Sequence, residues 1–562
     1  MKKVLVFFSV LALGLLTSCN KQVPTPDELN CNPSPLTVVG GKVNAEITGT
    51  FPAKKFVKKG VLEVTPVLKY GDQEIVGETV TYVGEKAKVN GTVVNYKNGG
   101  TYSQKFTCPY NDKMNRCELF LRFHATSGKK TYDVPDLKVA DGVNATATLA
   151  KAEDNVLAVT PDKYQRIIQA MQEADIKFLI QQSNLRDSET KSQAIKDLQA
   201  AIKDADQDER KLISSLEVLG YASPDGATKL NENLAENRQK VAQQYLAKQL
   251  KKDKVKVDIL SDITAEDWEG FKKLMENSNI QDKELVLRVL SMYSDPEERE
   301  AQIKNLAAVY KNIADDILPE LRRSRLVLTT DLIGRSDDEI KQAMAEDPSV
   351  LSVEEMLYAA TLTSDLNEQA AIYKQVTERF PNDLRGWNNL GIVNFKQGNV
   401  DSARRLYAKA LAIDANNPDV NYNAAVAAMA QGDTEKAGEY LGKAAGTTGN
   451  LEAAMGTYYT MTGDYQKAKG AYGKTNTNNA AIQQILNEDY AGARQTLANI
   501  AEPNATTYYL QAVVAARTNN RDGVYAALRQ AVAADAAMKA KAAQDIEFAK
   551  YAEDATFLGI VK

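Results

Sequence analysis

With 562 residues the chain exceeds what one hydrophobic core holds, so three or four domains of ordinary size are expected. Its 44% apolar and 25% charged residues are those of soluble globular protein. A formal charge of −5, with no Lys/Arg-rich run, argues against a nucleic-acid binder that works by neutralising phosphates. After residue 16 there is no run of 18 apolar residues, so no downstream helix is expected to span a membrane.

The chain opens with Met1-Lys2-Lys3 and an apolar stretch over residues 4–16, too short to cross a bilayer and of the right length for a secretory leader. Leu16-Thr17-Ser18-Cys19 follows and resembles the bacterial lipobox. That resemblance implies a signal peptide over 1–18, lipidation of Cys19 as the new N-terminus, and a net charge of −7 once Lys2 and Lys3 are removed. Several acyl chains anchor a protein far more firmly than one. Residues 19–34 read as a polar, proline-containing tether, beginning Asn20-Lys21-Gln22-Val23-Pro24-Thr25-Pro26. Surface-exported lipoproteins of Bacteroidota carry an acidic cluster after the cysteine. Its lack here makes the periplasmic face of the outer membrane the expected location.

Residues 35–150 contain short alternating runs at 42–47, 61–68, 78–83 and 118–123, separated by Gly40-Gly41, Gly71-Asp72, Asn90-Gly91 and Asn98-Gly99-Gly100. Period-two runs with turns at such intervals predict an antiparallel β-sandwich. Cys108 and Cys117 bracket one loop, and in an exported chain they form a candidate disulfide, with pairings to Cys31 left open.

In residues 155–335, strand-like runs at 175–180, 216–221 and 255–259 alternate with helix-like segments at 188–202 and 231–250, a βαβαβ order with helices on one side of the sheet. Leu219-Gly220-Tyr221-Ala222-Ser223-Pro224-Asp225-Gly226, then Asn231, Leu234-Ala235-Glu236, Arg238 and Tyr245-Leu246, resemble the OmpA-like peptidoglycan-contact domain. Arg322-Arg323-Ser324-Arg325 looks like the paired arginines that open that family's last strand, after a helical insertion of about sixty residues. The resemblance implies a peptidoglycan-binding set of Ser223, Asp225, Asn231, Arg238 and Arg322. In it an arginine fork takes a carboxylate and an aspartate takes an ammonium. Here Ser223 stands at the family's aspartate position, with Asp225 two residues on. Loss of wall binding in favour of a protein partner, or a structural Arg238, are the alternatives.

Residues 350–550 repeat. Trp387-Asn388-Asn389-Leu390-Gly391, Gly398, Ala403, Tyr407, Ala410 and Pro418 carry the tetratricopeptide pattern. A shift of 34 takes Ala403 to Ala437, Tyr407 to Leu441 and Ala410 to Ala444. About six units are expected, the fifth degraded, stacked into an all-α solenoid whose concave groove takes a segment of another protein. The fold class is therefore multidomain α+β: a β-sandwich, an OmpA-like domain with a helical insertion, and a tetratricopeptide solenoid. The order of modules resembles Bacteroidota outer-membrane lipoproteins that pair the last two.

Only one histidine, His124, occurs, and no metal-ligand spacing, phosphate loop or nucleophile–base pair stands out. The run Asp295-Pro296-Glu297-Glu298-Arg299-Glu300 reads as a solvated helix start. No enzyme activity and no cofactor are expected. The expected role is a periplasm-facing, lipid-anchored scaffold that binds outer-membrane or periplasmic protein through its repeats, with peptidoglycan contact through the OmpA-like domain. A tether joining membrane to peptidoglycan is the alternative.

Overall fold

The computed structural model describes residues 24–562; the leader and Cys19 lie outside the described residues. The chain divides into two compact units. One comprises the residues up to Pro161 together with Ser364–Lys562, and the other is the inserted segment Asp162–Thr363.

The first unit begins with a β-sandwich. One sheet has the order β11-β1-β2-β7, built from β1 (Asp27–Val39), β2 (Lys42–Phe51), β7 (Gly100–Pro109) and β11 (Val143–Asn144). The facing sheet runs β10-β8-β3-β5-β6, with β3 (Gly60–Tyr70), β5 (Val80–Gly84), β6 (Thr92–Val94), β8 (Glu118–Ser127) and β10 (Leu137–Asp141). Short strands β4 (Gln73–Val76) and β9 (Lys130–Tyr132) extend β3 and β8. Alternate residues such as Val43, Ala45 and Ile47 on β2 and Leu119, Leu121 and Phe123 on β8 point into one shared core, as period-two patterning requires. Strand β1 begins inside the segment read as tether. Pro33 and Pro35 fall where the β1–β2 register shifts between Asn32 and Thr37, so no ladder N–H is missed.

The expected Cys108–Cys117 disulfide is not formed. Both residues and Cys31 are free thiols buried in the sandwich core. Burial pushes Cys31 up to about 11 and Cys117 up to about 12, the nearby Cys108 adding to the latter.

The same unit continues into five helical hairpins: Leu384–Lys396 with Val400–Ile413, Pro418–Ala430 with Thr434–Leu441, Leu451–Thr462 with Tyr465–Tyr472, Asn478–Leu486 with Tyr490–Ala498, and Ala505–Arg517 with Arg521–Ala534, and ends in the short helices Met538–Gln544, Ile546–Tyr551 and Ala555–Val561. The helix Leu366–Arg379 precedes them. Each hairpin turn contains one residue with left-handed backbone: Gly398, Gly432, Gly463, Glu488 and Asn519 in order. Glycine takes that conformation without strain, so the three glycine turns are the clear repeats, and Glu488 marks the degraded one. Most hairpin helices start on a side-chain cap, as where Asn417 accepts from Val420 N–H at 3.1 Å and Asp489 from Gly492 N–H at 2.9 Å.

The second unit is a four-stranded sheet in the order β12-β15-β13-β14, from β12 (Ile167–Lys177), β13 (Lys211–Tyr221), β14 (Leu260–Thr264) and β15 (Arg323–Ile333). Strands β13 and β14 are parallel, and β15 runs antiparallel to both its neighbours. The helices Gln193–Gln207 and Thr228–Asp253 pack on one face through Ile195, Leu198, Ile202, Ala242, Leu246 and Leu250. The third strand starts at Leu260 rather than at Val255. The helix Thr228–Asp253 ends on left-handed Lys254, and Val255 N–H then bonds back to Leu250 O at 3.0 Å. Val255 is thereby tucked into the core under the helix, and residues 256–259 carry the chain across to the sheet. The insertion between β14 and β15 is helical and closes a small core of its own around Phe271, Met275, Val286, Ile303 and Leu321.

Candidate functional site

The hairpin seams are built as the repeat spacing demands. Ala403, Ala437, Ala468 and Ala493 are fully buried between paired helices. Tyr407 is likewise buried, its ring against Gly391, where an added Cβ would lie 2.5 Å from the ring. Gly456 meets the ring of Tyr472 in the same way, at 2.7 Å. Close approach of two helix backbones needs these small residues.

The groove, expected to be open for a partner, is filled by the chain itself. Residues 146–160 leave the sandwich and run along the array from its last hairpin to its first. Thr146 Oγ1 donates to Glu547 at 2.6 Å. Lys151 N–H donates to Asn479 Oδ1 at 3.0 Å, and Asn479 Nδ2 donates back to Lys151 O at 2.7 Å. Asn155 reaches Thr457 Oγ1 at 3.3 Å, and Tyr422 O–H donates to Val156 O at 3.0 Å. Asn423 grips Ala158 through both its backbone groups at 2.8 Å. Asn389 grips Thr160 in the same way at 3.1 and 2.9 Å. Asn388 ties the two grips together, donating to Ala158 O at 3.1 Å and accepting from Asn423 at 2.9 Å.

The segment is also packed. Ala152, Leu157 and Ala158 belong to the hydrophobic core of the first hairpins, and Leu149 and Ala150 to that of the last. No sequence reading singled out these asparagines. The available signal was periodicity, since Asn389, Asn423 and Thr457 are 34 residues apart. A polar residue recurring at the repeat period within a helix otherwise filled with apolar side chains faces something that needs hydrogen bonds.

The second unit brings most of the other candidates together. Ser223 Oγ bonds to the Asp225 carboxylate, Arg322 Nη2 donates to Asp225 Oδ2 at 3.2 Å, and Arg322 Nε to Ser223 Oγ at 3.3 Å. Asn231 braces the loop, donating to Gly226 O at 2.9 Å. Arg238 is buried and donates to Gln182 O at 3.0 Å, Tyr221 O at 2.9 Å and Leu179 O at 3.4 Å, with its guanidinium over the Phe178 ring. Burial lowers Arg238 to about 10, helped by nearby Arg322 and opposed by Asp225.

Gly220 lets the helix bearing Arg238 lie on the sheet, because a Cβ there would meet Ala235 O at 2.2 Å. Arg323, missed as a site residue, pairs with Asp267 at 2.7 Å and lies over Tyr221. The cluster therefore has charge and hydrogen-bond donors, but Arg238 already spends its guanidinium on three carbonyls. His124 is exposed on β8 opposite Glu63. Among the described residues no group of His, Cys, Asp and Glu is arranged to hold a metal, and no helix is long and apolar enough to cross a membrane.

The fold and groove define a repeat protein of mixed α+β architecture with a tetratricopeptide array at its C-terminal side. Residues 394–456 match the tetratricopeptide repeat family. No curated protein sequence matches the chain. Among solved structures, a tetratricopeptide repeat protein from Parabacteroides merdae is similar over 36% of this chain and 88% of its own, at 13% identity and a TM-score of 0.31. Pseudomonas aeruginosa pilF is similar over 40% and 98%, at 18% identity and a TM-score of 0.27. YrrB, described as a tetratricopeptide protein with an unusual peptide-binding site, is similar over 36% and 94%, at 17% identity and a TM-score of 0.21.

Proposed function

We propose that the chain is a non-enzymatic scaffold of the bacterial envelope. It is lipidated at Cys19, faces the periplasm from the outer membrane, and recruits envelope proteins through its tetratricopeptide array. The observation that carries this reading is the array itself: five stacked hairpins, with residues 394–456 matching a family of protein-binding repeats. Because the groove is filled from within, recruitment uses the array's outer surface. Contact with peptidoglycan through the second unit is supported by the resemblance of residues 219–238 and 322–325 and by the assembly of Ser223, Asp225 and Arg322 into one hydrogen-bonded set. In that set Arg322 already gives Nη2 to Asp225 and Nε to Ser223, so a ligand carboxylate would compete with Asp225 for its fork.

The filled groove also favours the tether reading, in which the array stiffens a link between membrane and wall. One measurement separates the readings. Cross-linking followed by purification from detergent-solubilised membranes recovers a defined protein for the scaffold and none for the tether. Sedimentation with purified peptidoglycan tests the wall contact that both include, and a chain left in the supernatant removes the tether. Palmitate labelling that persists after Cys19→Ala would remove the lipid anchor from both.

A further inference from the structure

We infer that the concave groove of the array is an internal fastening, occupied by residues 146–160 in the working protein and closed to partners. Three features lead there. First, the contacts are of a kind that recognises backbone. Asn479, Asn423 and Asn389 each close a ring of two hydrogen bonds on the N–H and C=O of one residue, Lys151, Ala158 and Thr160. A side-chain amide has one donor face and one acceptor face, so it pairs with a peptide group as another strand would. Second, each of the first four array hairpins supplies a hydrogen bond, and Glu547 beyond the fifth supplies another. The strap spans the groove from Glu547 beyond the last hairpin to Asn389 in the first, leaving no length free for a second peptide.

Third, the occupant is sealed in. Asn388, Asn423 and Thr457 have no solvent exposure, and Ala152 and Ala158 keep 1% and 2%. That burial is reached with the strap in place, so its release would give up the packing of Leu157 and Ala158 together with the asparagine–backbone hydrogen bonds in one step. Ala158 is 2% exposed within the core of the first hairpins, so the strap is held there by packing as well as by backbone hydrogen bonds. The fastening also joins sandwich and array directly. Arg116 donates to Ala543 O at 2.7 Å, and Tyr465 O–H to Val38 O at 3.3 Å, so the strap lies across an interface already in place.

The experiment uses the full chain. A fluorescent peptide with the sequence of residues 145–161 is titrated against wild type and against a variant whose residues 150–160 are replaced by glycine and serine at equal length. Wild type should bind no peptide. The replaced chain should bind it saturably, and binding should raise its melting temperature. Uptake of peptide by wild type overturns the inference, because the groove would then open in solution. So does failure of the replaced chain to bind while its helical circular dichroism is retained.

Amide hydrogen exchange decides the matter even if that variant does not fold. In wild type the Ala158 and Thr160 amides should exchange only as fast as the array core. Asn423→Ala should speed exchange at Ala158 by roughly a hundredfold, with helix 505–517 little changed. Exchange at Ala158 and Thr160 near the unprotected rate in wild type would show a strap that is loose, and would overturn the inference.

Discussion

At the scale of single residues, the polar groups inside the array set stability, and two substitutions should move it in opposite directions. Asn423→Ala leaves the N–H and C=O of Ala158 buried with only Asn388 to serve the carbonyl. The expected cost is about 2–4 kcal/mol, read by chemical denaturation. Tyr407 is the converse case. Its hydroxyl is buried without a hydrogen-bond partner, and burial pushes its pKa well up. Tyr407→Phe keeps the ring against Gly391 and removes a stranded polar atom, so stability should hold or rise by about 1 kcal/mol. A loss of more than that would mean the hydroxyl has a partner.

Asp545 gives a pH signature. Burial raises its pKa, although it accepts from Tyr509 O–H at 2.6 Å and from Glu547 N–H at 2.9 Å. With the folded pKa above the unfolded value of about 4, the folded state holds the extra proton. This contribution therefore favours folding at low pH and is lost as pH rises through the interval between the two pKa values. Asp545→Asn should flatten that fall in a plot of melting temperature against pH.

At the scale of elements, the turns between paired helices show what could be read from the chain and what could not. Gly398 was read within the repeat pattern; Gly432, 34 residues on, and Gly463 take the same left-handed backbone in the next two hairpin turns. Glu488 and Asn519 adopt the same backbone with side chains that pay for it, so their hairpins were visible only as faint alanine spacing. Glu488→Gly should therefore stabilise the fourth hairpin by about 1 kcal/mol. Gly432→Ala should destabilise the second by a similar amount, because an added Cβ meets nothing within 4 Å there and only the backbone resists. Thermal melts of the two variants check the pair.

The sandwich strands β2, β3 and β8 were legible because buried residues alternate with more exposed ones along most of each. The first half of strand β1 was not legible, because residues 27–34 are mostly exposed and carry no clear period-two signal. Residues 146–160 were invisible for a deeper reason. They have no periodicity of their own, since what fixes them lies on side chains more than two hundred positions away. The candidate site in the second unit was legible as a set of residues, through Ser223, Asp225, Asn231, Arg238 and Arg322. That Arg238 would spend its donors on Gln182, Tyr221 and Leu179 depended on loops that only the fold brings near.

At the scale of the molecule, the chain is one unit interrupted by another. Asp162–Thr363 has its own sheet and cores, and the rest closes around the strap. Calorimetry should show two transitions, and Asn423→Ala should lower only the one that contains the array. A single transition shifted as a whole would mean that the two units share their cooperativity.

The strap also fixes an order of events in time. Thr160 and Asn389 are 229 positions apart, and Lys151 and Asn479 are 328 apart. At biosynthesis the strap therefore appears long before the helices that will hold it, and an entire second unit is made in between. Contacts so remote in sequence close slowly, and a segment with unmet backbone donors and acceptors is open to wrong pairings while it waits. Maturation of this protein should therefore be limited by the arrival of its last third. A chain interrupted after residue 363 would carry a folded middle and an N-terminal sandwich trailing an unclaimed strap, the species that a chaperone or protease would meet first.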